Sequence, residues 1–293
     1  MAAYKLRGVG LLVTALAVLP AMDTVAKVLS GHLPVLEVAW ARFLVYAVLV
    51  LPVALWRHGI ASLRLPDAPI QIARGALLAA SAFMFFSAIA HMPLADAMAI
   101  FFVYPCFILA ASAVILGERI RRSQWALVGS GFVGALCVIR PGQSGTLLAS
   151  AMALGTGAVY AAALLLTRRL ASHSPALVTS AISALTGLAV FSVLVPAVWR
   201  PPRPGDWALM ALMGAFAALG HWLLVLAHRY ASAAELAPYG YAELVAAVVF
   251  GRLVFGDLPT LTVWLGAGLI VASGILAART ASRSASHAAR GTR

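Results

Sequence analysis

"LAPYGYAELVAAVVFGRLVFGD", Leu236 to Asp257, is apolar enough for lipid along most of its length, yet it carries Glu243 near its middle and Arg252 near its far end. A charge in hydrocarbon is costly, so an ionisable group in such a run is a functional candidate that faces a cavity or a partner. Pro238 and Gly240 weaken the helix one turn before Glu243. Glu243 lies about eleven residues from the cytoplasmic end of its span, hence roughly 16 Å deep, near the midplane.

The rest of the chain has the same character. Of its 293 residues 63% are hydrophobic and only 10% are charged, with a mean hydropathy of +0.97. A soluble surface needs about a quarter charged residues, so the composition is that of a polytopic membrane protein. The net charge of +12 does not imply a nucleic-acid partner, because the basic residues are spread among short loops and the C-terminal tail. Cys106 and Cys137 both sit in apolar runs and read as inert fillers. The apolar run near the N-terminus has the make-up of a signal peptide, but similar runs follow it to the end, and it reads as the first spanning helix.

A spanning helix needs about 20 mainly apolar residues. Ten stretches qualify: 8–28, 34–56, 70–90, 94–116, 124–140, 146–166, 176–199, 206–228, 232–255 and 260–278. The expected fold is an all-α polytopic membrane protein with ten transmembrane helices. With the N-terminus in the cytoplasm, 15 of the 21 Lys and Arg residues fall inside, 4 outside, and Arg42 and Arg252 within spans. That bias needs an even helix number and puts both termini in the cytoplasm, across a bacterial-type inner membrane. Residues 280–293 are small, polar and basic, and read as a disordered tail near anionic lipid.

A shift of 139 residues lays Leu94–Gly131 on Ala233–Ile270. Asp96 meets Glu235, Gly117-Glu118 meets Gly256-Asp257, Trp125 meets Trp264, Gly129 meets Gly268, and Tyr104 meets Glu243. The repeat unit therefore holds five helices, with a first copy over 1–141 and a second over 142–279. Five is odd, so the second copy enters the membrane from the opposite side. Inverted repeats of this kind are a signature of secondary transporters and put a substrate site near the midplane between the halves. Leu244 stands where Pro105 stands, and the proline has moved to Pro238, so the halves are expected to bend at different depths.

Three motifs carry a resemblance: Pro105 followed by "LGERI", Trp125 and Gly129; the repeat of that pattern, "HRYASAAELAPYGYAELVAAVVFGRLVFGD"; and "WARF", Trp40 to Phe43. With them the chain resembles the EamA branch of the drug/metabolite transporter superfamily, across its whole length and helix count. The resemblance implies a secondary transporter working by alternating access on small amphipathic metabolites, with amino acids and related compounds, and export, favoured. It leaves open an uptake carrier for a vitamin- or nucleoside-like solute, of the riboflavin or S-adenosylmethionine type; a membrane-embedded enzyme or a pore is the less favoured alternative from another class.

Glu243 leads the candidate substrate-binding residues. It is placed to exchange protons with a cavity or to hold the amine of a zwitterionic substrate. The plainer reading is a neutral acid bonded to Tyr239, four residues earlier on the same face. Tyr104, Tyr160, Tyr239, Tyr241, Phe102, His221 and Trp222 complete the set. His221 is a proton-relay candidate or a packing histidine, and His91 and His228 read as interfacial groups. Phe83, Phe85, Phe86 and Phe101 crowd the third and fourth helices as packing or as walls of an apolar cavity.

Asp23 and Arg42 lie about seven and eight residues from the outer ends of helices joined by a tight turn, so they sit at matching depth. They read as an ion pair or an outer gate. Lys27 is one turn from Asp23 and competes for it, and Glu37 is a partner for Lys27. These four belong to the outer third and are not where the substrate is first placed. Glu118 and Asp257 read as turn and helix-start devices. The small residues Gly129, Gly131, Gly134 and Ala135 of the fifth helix, with Gly266, Gly268, Ser273 and Gly274 of the tenth, allow close helix approach.

The sequence holds no Walker A loop, no His-Glu-x-x-His, no Gly-x-Ser-x-Gly and no metal-like Cys/His cluster. The expectation is a transporter and not an enzyme, with no cofactor and no metal. Its partners would be a small molecule, protons as a candidate coupling ion, and the lipid bilayer, in a monomer or homodimer.

Overall fold

The computed structural model describes residues 2–60, 67–116, 122–139, 147–170, 174–231 and 236–291. The Glu118 turn lies outside the described residues. Among the described residues there are helices and no strands. Helix α1 covers Ala2–Ser30, α2 Val35–His58 and α3 Ala68–Ile89. The fourth span is broken into α4a, Leu94–Phe101, and α4b, Tyr104–Leu116. Then follow α5, Arg122–Ile139, α6, Leu147–Leu170, α7, Ala176–Leu194, and α8, Pro204–Tyr230. The ninth span opens on a 3₁₀ turn, Ala237–Tyr241, continues as α9, Ala242–Phe250, and ends in a π-helical turn, Gly251–Phe255. Helix α10 is Leu261–Gly291.

Proline marks the starts. Pro34, Pro93 and Pro175 sit at the N-caps of α2, α4a and α7, and Pro204 opens α8. At a helix start the missing N–H costs nothing and the fixed φ suits the first turn. Asp206 adds a cap, accepting a 2.8 Å hydrogen bond from the Arg203 backbone N–H.

Among the described residues seven segments are long and apolar enough to cross a membrane, and Trp125–Ile139 and Leu261–Leu276 are shorter apolar helices. Large apolar side chains such as Trp56, Val193, Leu253 and Leu265 point outward from the bundle, an arrangement that suits lipid rather than water. The centre is packed around α4a, where every residue from Leu94 to Ile100 is buried.

The helix pairings obey a two-fold rule. Helix α1 packs on α8 as α6 packs on α3; α2 packs on α8 as α7 packs on α3; α1 packs on α9 as α6 packs on α4b. The pairs α2–α7 and α5–α10 map onto themselves. Advancing each helix by five turns each of these main pairings into another of them or into itself, as a pseudo-two-fold axis between two five-helix copies requires. At α5–α10 the backbones meet: a Cβ on Gly134 would lie 2.8 Å from the Gly266 carbonyl oxygen, and one on Gly266 2.6 Å from that of Gly134. Only glycine fits this approach.

Two expectations need correction. Residues 280–291 continue α10 as helix instead of forming a disordered tail. Alanine recurs through the segment and is the best helix former. The two broken spans also restart at matching positions, Tyr104 and Ala242, one residue apart under the 139-residue shift. The displaced proline lengthens the break in the ninth span without moving its end.

Candidate functional site

The site is built on the two breaks. Pro105 has no N–H for the Phe101 carbonyl, and its ring crowds that oxygen. The helix therefore stops at Phe101, turns through Phe102 and Val103, and restarts with proline in its first turn. The Cys106 N–H bonds the Val103 carbonyl at 2.8 Å across the break. In the ninth span, Pro238 and Gly240 hold a 3₁₀ turn, and Glu243 falls in the first turn of α9. Tyr104 and Glu243, equivalent in the repeat, thus both stand where a broken span begins again.

Aromatic rings cluster around the breaks. The Tyr104 and Tyr160 rings are 5.3 Å apart, edge to face. Phe101 lies 5.2 Å from Tyr104 and 5.3 Å from Tyr160. Phe102 lies 5.4 Å from Tyr241, and Tyr46 5.4 Å from His221. The His221 Nδ1 is 2.8 Å from the Ala217 carbonyl one turn earlier.

Charges meet in the same space. Asp23 is within electrostatic reach of both Arg42 and Glu243, and Tyr160 of Glu243, Arg74 and Arg42 together. The half-buried Arg42 guanidinium lies over the Phe43 ring at 5.4 Å and the Phe86 ring at 5.5 Å. Neither Arg42 nor Glu243 makes a hydrogen bond or an ion pair among the described residues. Glu243, too, is only half-buried although helices surround it.

Several expectations change. Asp23 and Arg42 do not form an ion pair; the pairs among the described residues are Lys27–Asp257 at 3.4 Å and His32–Asp206 at 2.9 Å. Nor do these two sit apart from Glu243 in an outer third. Depth counted along one helix ignores what its neighbours bring alongside, and here Asp23 joins Arg42 and Glu243 across one space. Lys27 is held by Asp257, donates to the Met92 carbonyl at 2.8 Å and lies 4.7 Å over the Phe255 ring. Glu37 does not bind Lys27; its carboxylate accepts from the Arg200 backbone N–H at 3.1 Å. The first-turn position of Glu37 points it across to the α7–α8 connection. Asp257 is a lysine partner as well as a turn residue, aimed by Gly256, whose φ of +73° glycine adopts without strain.

Of the candidate substrate residues, Glu243, Tyr104, Tyr160, Tyr241, Phe102 and His221 are brought together. Tyr239 and Trp222 are not: they are 44% and 55% exposed on the outside of the bundle. Glu243 makes no bond to Tyr239 among the described residues. His91 and His228 sit exposed near helix ends, each bonded to a carbonyl one turn back.

Sequence reasoning passed over Arg74 and Tyr46. Arg74 was counted with the loop arginines, yet its Nε donates to Thr167 Oγ1 at 2.6 Å and its Nη1 to Ser183 Oγ at 2.5 Å and the Thr179 carbonyl at 3.4 Å. The signal was the spacing of Gln71, Arg74 and Gly75, a small and polar face on an otherwise apolar helix. Gln71 and Gly75 are both buried there.

A multi-pass helical membrane protein with two interlocked copies and a polar, aromatic space at paired helix breaks is organised as a carrier of small molecules. Comparison with known proteins agrees. The EamA-like transporter family matches residues 6–140 and again 147–279, so the chain belongs to that family. The chain is 28% identical over 276 residues to a riboflavin transporter of Vibrio cholerae, covering 92% of each. It is 29% identical over 280 residues to the pseudopaline exporter CntI of Pseudomonas aeruginosa, covering 93% of this chain and 96% of the relative. One protein of solved crystal structure shares the fold with a TM-score of 0.65 and 20% identity, over 96% of this chain and 99% of its own.

Proposed function

We propose that the protein is a secondary active transporter that moves small amphipathic metabolites, amino acids or related compounds, across a bacterial inner membrane by alternating access. Export is the favoured direction, and both termini face the cytoplasm. The observation that carries this reading is Glu243: a carboxylate inside an apolar bundle, without a protein partner among the described residues, at the restart of a broken span. An apolar wall with a few polar points fits an amphipathic solute, and an unpaired carboxylate fits its amine or a coupling proton. The pseudopaline exporter among the relatives supports export.

A second reading is a vitamin-like carrier. Rings at Phe101, Phe102, Tyr104 and Tyr160 suit stacking on a flat heterocycle, and the Vibrio relative is a riboflavin transporter.

Counterflow in proteoliposomes separates the two. Labelled amino acids and labelled riboflavin are offered to purified protein, with and without a pH gradient. Saturable amino-acid exchange that drops at least about 10-fold in Glu243→Gln supports the first reading. Exchange of riboflavin alone supports the second. Exchange of neither, or unsaturable leak, removes both.

A further inference from the structure

The two arginines of the central space are in opposite states. Arg74 spends its donors on Thr167, Thr179 and Ser183, tying α3 to α6 and α7. Arg42 spends none. It lies over the rings of Phe43 and Phe86, and the oxygens of Tyr46 and Tyr160 are within electrostatic reach without a hydrogen bond among the described residues. Asp23 is close enough to be felt but not to pair. A guanidinium stays charged and presents five N–H donors in a planar fork that matches a carboxylate with two parallel bonds. Inside a membrane bundle, leaving all five unmet is costly unless water or a solute meets them.

We propose that Arg42 is the anion anchor of the transport site, so that the substrate is a zwitterion whose carboxylate binds Arg42 and whose amine binds Glu243. This rests on the transporter reading above and narrows its substrate class. Tyr160 is within reach of both charges, and the rings of Phe101, Tyr104 and Tyr160 form the wall along which the apolar body lies. The near carboxylate of Asp23 keeps the guanidinium oriented without occupying its donors. A neutral flat solute uses the wall and neither anchor.

The test measures the thermal stability of the full-length purified protein in detergent. The probes are millimolar alanine, methionine, phenylalanine and histidine, each beside its own amide; 2-phenylethylamine and 3-phenylpropionate supply the amine and the carboxylate alone. In the wild type at least one amino acid binds on the order of 10-fold more tightly than its amide. In Arg42→Gln that preference disappears while affinity for 2-phenylethylamine is kept. In Arg42→Lys it returns in part, since the charge is kept and the fork is lost. In Glu243→Gln the preference for acid over amide survives and the contribution of the amine is lost. Ligand-free melting shows that each variant is folded; if Arg42→Gln does not fold, the wild-type pairs and Arg42→Lys decide. Amides that bind as tightly as the acids, or a panel without effect on the wild type, overturn the proposal. Riboflavin counterflow alongside such a result would leave the transporter reading standing, and absence of all counterflow would remove that reading itself.

Discussion

The end of the bundle at the α1–α2 turn and the centre of the bundle both hold charges, and they use them differently. At the turn end, charges and polar groups bind across the two halves of the chain. Lys27 meets Asp257, His32 meets Asp206, Glu37 meets the Arg200 backbone, and Trp40 donates to Ser192 at 3.0 Å. In the centre, Arg42 and Glu243 have no hydrogen bond or ion pair among the described residues. Ties fix a geometry, even where one Glu37 oxygen stays buried without a partner among the described residues; groups with no tie at all are open to what enters. The proposed cycle has to break the first set each time it exposes the second to the far side.

That contrast can be broken by substitution. The largest effect belongs to the centre: Glu243→Gln lowers counterflow at least about 10-fold, with little change in ligand-free melting. A variant that transports normally would show that the open carboxylate is idle. Lys27→Met comes next. Lys27 is mostly buried, at 15% side-chain exposure, and holds both a carbonyl and a carboxylate. Its loss destabilises the fold by about 1–2 kcal/mol, and thiol reagents should then reach a cysteine placed at Asp23 more readily. An unchanged melting curve would mean the tie is ornamental. His32→Ala costs about 0.5 kcal/mol or less, because the imidazole is 35% exposed and an exposed pair is screened by water; a drop as large as that of Lys27→Met would make it the stronger tie. Smallest of all is Trp222→Leu, which changes transport by less than about twofold. A large defect there would place the site on the outside of the bundle.

The breaks were legible in the chain because proline and glycine act locally. Pro105, Pro238 and Gly240 interrupt a helix wherever it packs, and the structure places the interruptions beside them. The repeat was legible for a related reason, since equivalent helices keep their turns and small residues. Partners were not. Lys27 has two acids nearby in the sequence, Asp23 and Glu37, and the one it meets, Asp257, is 230 residues away. Arg74 looked like a loop arginine because its end of α3 is near an interface, and nothing local records the hydroxyls of α6 and α7. Tyr239 and Trp222 failed for the same reason: one residue along a helix turns a side chain about 100°, and His221 faces in where Trp222 faces out.

The amino-acid sequence by itself determined the solvent, the spans, the break points and the two-copy plan, because each follows from hydropathy, local backbone chemistry or internal similarity. Only the tertiary structure decided which charges are bound and which are open. Two side chains meet, or fail to meet, according to the rotation and crossing of helices far apart in the chain, and that geometry comes from the packing of the whole bundle.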